Sequence, residues 1–163
     1  MKIRSVHCDN RKKAFEVLTY GCRFSFPYAK LEMLPTRQNP IKRVYVDEEL
    51  ANEAFTYELA SGHEGTVHVD QVLDYNRDPR YMRDMLLYKL TLAAQERVNK
   101  SRLSKRELIR RLGTSPAQFY RLLDQTNYTK SIDQLMTLFG ILDCEVDLVV
   151  KRKKAGARVP VQL

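Results

Sequence analysis

The chain has 163 residues, enough for one large domain or two small ones, and 44% of them are hydrophobic, which argues against global disorder. The net charge of +8 is unevenly spread: residues 1–78 carry 11 Lys/Arg and 12 Asp/Glu, net −1, while residues 79–163 carry 17 and 8, net +9. No apolar run long enough for a membrane span and no signal peptide is read, and Cys8, Cys22 and Cys144 form no CxxC pair, so the expectation is a reduced cytoplasm with no zinc knuckle or thioredoxin-type site.

The expected fold class is α+β, beginning with a β-rich α+β domain over residues 1–78. Residues 14–20 are rich in strand formers, Gly21 turns the chain, and residues 22–26 return with Phe24 and Phe26 on one face, which predicts a hairpin. Pro27, Pro35 and Pro40 punctuate a loop-rich stretch. Residues 42–46 read as a strand, and Asp47 to Phe55 as a short helix capped by Asp47. Two further strands are expected at 57–60 and 66–72. The intervening His63 and His68 are five residues apart with Gly65 between them, whereas a zinc-binding helix needs its histidines four apart. No metal site and no cofactor is expected. Glu48, Glu49 and Glu53 read as a solvated helix face. No catalytic constellation, internal repeat or low-complexity block is read, and the chain is not expected to be an enzyme.

Asp78 and Pro79 read as the cap and first residue of a helix running to about Lys100, with Met82, Leu86, Leu90 and Ala94 as its apolar stripe. Three Ser-x-x-Glu/Gln capping boxes follow: Ser104 with Glu107, Ser115 with Gln118 and Ser131 with Gln134. Only Gly113-Thr114 precede the second cap. Three short helices with a tight Gly turn between the first two are a helix-turn-helix layout. The helical domain is expected over residues 79–150, and a basic disordered tail over 151–163. The +9 charge of this half predicts a polyanion partner.

Residues 103–115, Leu-Ser-Lys-Arg-Glu-Leu-Ile-Arg-Arg-Leu-Gly-Thr-Ser, and 118–123, Gln-Phe-Tyr-Arg-Leu-Leu, resemble the Cro/λ-repressor-like (Xre) helix-turn-helix family. Residues 131–142 with 145–150 are similar to the last helix and short terminal strand of its antitoxin-like branch. The resemblance covers roughly the last half of the chain. Pro116 stands where the family often has a DNA-contacting Gln, and Asp143 where a Gly usually ends the last helix. The first half resembles, through strand order and its Tyr20-Gly21 turn, a small bacterial β-rich family of unknown function that is sometimes fused to helix-turn-helix domains. No functional residue is carried over from it.

The resemblance implies an all-α λ-repressor-like domain whose second short helix lies in the major groove of double-stranded DNA. A helical wheel buries Phe119, Leu122 and Leu123 and presents Ala117, Gln118, Tyr120 and Arg121, the expected base-reading set. Arg121 suits guanine O6/N7, Gln118 adenine N6/N7 and Ala117 a thymine methyl. Gln118 can close its capping box or read a base, but not both. Lys105, Arg106, Ser115, Thr126, Asn127, Thr129 and Lys130 are the expected phosphate contacts. Arg110 and Arg111 are expected in solvent or in ion pairs. The expected function is sequence-specific DNA binding in a bacterial transcriptional regulator. The alternative is an antitoxin that neutralises a partner toxin and represses its own operon. A homodimer is expected. Val146, Leu148 and Val150 share one face of the terminal strand, which pairs with a second chain or joins the N-terminal sheet.

Overall fold

The structure, a computed structural model, describes residues 1–151. The expected tail lies outside these residues except for Lys151. The chain is α+β: among the described residues, two three-stranded antiparallel sheets precede five helices. It divides into two compact units, one of residues 1–86 and one beginning at Leu87.

In the first unit, β1 (Ile3–Asp9), β2 (Ala14–Thr19) and β3 (Arg23–Pro27) form one meander. A short 3₁₀ turn, Tyr28–Lys30, follows. β4 (Ile41–Val46), β5 (Ala54–Leu59) and β6 (Glu64–His68) form the second meander, followed by α1 (Val69–Asn76). The 14–26 hairpin agrees with the sequence reading. The helix expected from Asp47 does not form. Asp47 Oδ1 accepts from Leu50 N–H at 3.1 Å, which caps one turn. Ala51 and Asn52 then adopt left-handed φ of 55° and 61°, and the chain enters β5. The strand expected over 66–72 stops at His68, whose ring accepts from Asp70 N–H while Gln71 reaches back to the His68 N–H. This capping box opens α1, where Val69, Val72 and Leu73 bury at helical spacing.

The two meanders are copies of one structural repeat, contrary to the sequence reading. Ile3, Val6 and Cys8 pair with Thr19, Val17 and Phe15, while Ile41, Val44 and Val46 pair with Leu59, Tyr57 and Phe55. The register shifts at the same place in both, between Ile3 and Ser5 and between Ile41 and Arg43. Tyr28 N–H donates to Lys13 O, as Val69 N–H does to Glu53 O, each at 2.8 Å. The equivalent rings of Phe15 and Phe55 meet edge to face with centroids 4.9 Å apart. Both are fully buried in a core shared by the two sheets and α1. Burial of each such ring contributes about 2–3 kcal/mol.

α2 (Pro79–Lys100) begins where expected, with the Asp78 carboxylate accepting from the N–H groups of Arg80 and Tyr81. Its buried stripe matches the expected one only in part: Ala94 is buried and Leu90 half-buried as expected, but Leu87, Thr91 and Val98 complete the buried side, whereas Met82 and Leu86 are exposed. Thr91 is tolerated inside because its hydroxyl donates to Leu87 O at 2.6 Å. α3 (Lys105–Leu112), α4 (Pro116–Leu123) and α5 (Ile132–Ile141) complete the second unit. Their apolar faces meet α2 in a core containing Leu108, Phe119, Leu122, Leu135, Leu138 and Phe139. Asp143 ends the last helix in the left-handed region at φ 54°. The expected terminal strand is not formed: residues 145–150 are irregular and exposed. Among the described residues the second unit contains no strand, so the segment meets no edge there with which to build a ladder.

Among the described residues, no helix is long and apolar enough to cross a membrane. All three cysteines are free thiols.

Candidate nucleic-acid interface

The serine caps build this surface. Ser104 Oγ accepts from Glu107 N–H and Ser115 Oγ from Gln118 N–H, each at 3.2 Å. Ser131 Oγ accepts from Asp133 N–H at 3.1 Å. The return arms of the three expected boxes are not made. Glu107 instead grips Arg110 and Arg111, with contacts of 2.7 and 2.8 Å. These bonds hold its carboxyl down at about 2. Gln118 makes no side-chain hydrogen bond among the described residues, so its carboxamide is free to meet a ligand. Between α3 and α4, Gly113 takes φ 64°, a conformation that favours glycine and reverses the chain within a short turn.

α4 is two-faced. Phe119 and Leu122 are buried and Leu123 is half-buried, while Ala117, Gln118, Tyr120 and Arg121 are exposed. The Arg121 guanidinium has no hydrogen-bond or ion-pair partner among the described residues. Lys105, on α3, stands 5.8 Å from the centre of the Tyr120 ring on α4. One cation is thereby brought beside the α4 face. Arg106 is exposed next to it. At the α4 N-terminus, Pro116 has no N–H, Gln118 N–H is capped by Ser115, and Ala117 N–H is open among the described residues. An open N–H at the positive end of a helix suits a phosphate oxygen.

The loop after α4 is turned inward. Thr126 gives both its N–H and its hydroxyl to Asp124 Oδ1, which lowers the Asp124 pKa. Asn127 Nδ2 donates to Arg121 O at 3.1 Å, and its Oδ1 accepts from the N–H and hydroxyl of Thr129. Lys130, expected on a phosphate, donates to Thr91 Oγ1 at 2.7 Å, to Leu122 O at 3.0 Å and to Asp124 O. Its three N–H donors are all engaged, and burial pulls its pKa down. Lys130 is therefore an internal tie between α2 and the end of α4. Gln95 makes a second tie, donating to Leu123 O at 2.7 Å. Thr91 and Gln95 are missing from the sequence reading; a threonine within an otherwise apolar helix stripe was the available signal.

The first unit carries an open depression of about 420 Å³ lined by His7, Cys8, Asp9, Asn10, Arg11 and Glu16. Asp9 Oδ1 there accepts from the N–H groups of Arg11 and Lys12, which closes a turn. His63 pairs with Ser61, and His68 caps α1. Among the described residues, no group of three or more His, Cys, Asp or Glu is placed to hold a metal ion.

Compared with protein-family models, with curated proteins and with solved structures, the chain matches none.

Proposed function

We propose that the chain is a sequence-specific double-stranded DNA-binding protein of the λ-repressor-like helix-turn-helix kind, acting by occupying an operator. The observation that carries this reading is the α4 face. It presents a guanidinium and a carboxamide with no internal partner, on a helix fixed from behind by buried Phe119 and Leu122. Such groups read guanine and adenine edges in a major groove. Lys105 and the open α4 N-terminus lie beside that face and suit backbone phosphates, and Arg106, exposed next in sequence to Lys105, adds a second cation on α3. The net charge of +9 over residues 79–163 supports the same partner. No cofactor enters the mechanism, and the free thiols agree with a cytoplasmic setting. A single reading helix covers too few base pairs for genomic specificity. The protein therefore acts as a homodimer on two half-sites about one helical turn apart.

Selection of bound DNA from a random pool, followed by titration of the selected site, tests the proposal. Arg121→Ala should remain folded, lose about 1–3 kcal/mol of binding and relax preference at one base position. Lys105→Ala should weaken binding to all sequences and lower the salt slope by about one unit. Recovery of no consensus, with a folded Arg121→Ala variant binding as the parent does, would overturn the reading.

A further inference from the structure

We propose that residues 145–151 pair with the same segment of a second copy, as an antiparallel two-stranded ribbon centred on Leu148. This deepens the DNA-binding reading by naming the surface through which two copies meet, yet it is measured without DNA and so stands or falls separately.

Three observations carry it. First, the segment leaves the helical core at Cys144, whose N–H closes onto Phe139 O, and beyond it no backbone hydrogen bond is made among the described residues. Among the described residues, both of its edges are open to a partner. Second, it exposes apolar side chains that a lone segment has no reason to present: Leu148 is 82% exposed, Val149 67% and Val150 87%. Valine and leucine alternating with Glu145 and Asp147 are strand-forming residues without a strand.

Third, the segment is complementary to itself. In an antiparallel pair centred on Leu148, Val146 faces Val150, Leu148 faces Leu148 and Glu145 faces Lys151, each relation occurring twice by symmetry except the central one. All of the apolar stripe, Val146, Leu148 and Val150, meets apolar residues; on the other face Glu145 meets Lys151, while Asp147 faces Val149. Sliding the register by one residue sets two of the three stripe residues of one copy opposite charged residues of the other. A two-stranded ribbon is weak by itself, so the association is expected to depend on concentration.

The test uses the full chain. The parent should sediment as a monomer–dimer equilibrium. Leu148→Cys should form a disulfide-linked dimer on mild oxidation, because directly opposed side chains lie within reach of a disulfide. The parent, which keeps Cys8, Cys22 and Cys144, should not, and Val149→Cys should be much slower than Leu148→Cys. Glu145→Lys sets like charges opposite each other twice and should weaken self-association about tenfold, and Glu145→Lys/Lys151→Glu should restore it. A parent that stays monomeric at the highest soluble concentration would overturn the proposal, including the case in which residues 152–163 cover the segment within one chain. So would a dimer linked through Val149→Cys in preference to Leu148→Cys, which would mean another register.

Discussion

Replacing Lys130 by methionine separates the two roles this residue can have. The Lys130 ammonium makes three hydrogen bonds, to Thr91 Oγ1, Leu122 O and Asp124 O. Methionine keeps the apolar stem and removes all three. A hydrogen bond to a charged donor contributes about 1.5–3 kcal/mol, less where water can replace it. Thr91 is fully buried, so its hydroxyl finds no water, whereas Asp124 is exposed and its carbonyl rehydrates. Counting about one and a half unrecovered bonds, Lys130→Met should cost about 2–4 kcal/mol. Urea unfolding of the full chain followed by circular dichroism reads this as a lower midpoint at unchanged slope. Thr91→Val combined with Lys130→Met should cost less than the sum of the single changes, since both break the same contact. DNA binding by the folded variant should weaken while its salt slope stays that of the parent, because no phosphate contact is lost. A variant that unfolds at the parent midpoint, with its salt slope reduced by about one unit, would refute the reasoning and return Lys130 to the phosphate contacts.

Phe119→Ala should cost about 3–5 kcal/mol in the same unfolding assay, because its fully buried ring leaves a cavity at the centre of the helical core. Gly65→Ala should cost about 1–3 kcal/mol, since a Cβ there falls 2.4 Å from the ring of Tyr57, which is 1% exposed and tied at its hydroxyl to Met33. Unchanged stability of that variant would show that the ring can move. The pKa of Glu107 is depressed to about 2, so its contribution to stability is fully present above the ordinary glutamate range and is lost as pH falls through that range toward 2. Melting temperatures taken down to acid pH should fall less steeply for Glu107→Gln than for the parent.

Features fixed by neighbours in sequence were legible. The serine caps, the Gly113 turn, Asp78-Pro79 and the buried and exposed faces of α4 all follow from groups within about one helical turn of each other. Features fixed across the fold were not. α2 carries apolar residues on every side, among them Met85, Leu86, Leu87, Leu90 and Leu92, so its pattern does not fix which side turns inward. The inward side is set by Thr91, whose partner Lys130 lies far along the chain. Val69 and Val72 read as strand residues, and it took the His68–Gln71 cap to make them helical. The repeat was hidden because its turns differ in length, residues 10–13 in one copy and 47–53 in the other. At the candidate interface, the identity of the exposed α4 residues was readable. The internal engagement of Lys130, Asn127 and Thr126 depends on how the loop folds back on α4, and no local pattern records that.

The two copies of the repeat distribute bulk differently at one equivalent position. In the first meander Val17 on the central strand faces Phe24 on the outer one; in the second, Tyr57 on the central strand faces Gly65. The large side chain has changed strands while the register has stayed the same. A chimera that gave the first meander the outer strand of the second would set valine against glycine and leave a hole. The reverse graft would drive phenylalanine into tyrosine. The interchangeable module of this fold is therefore the hairpin with both its strands, and a strand moved alone carries half of a packing solution.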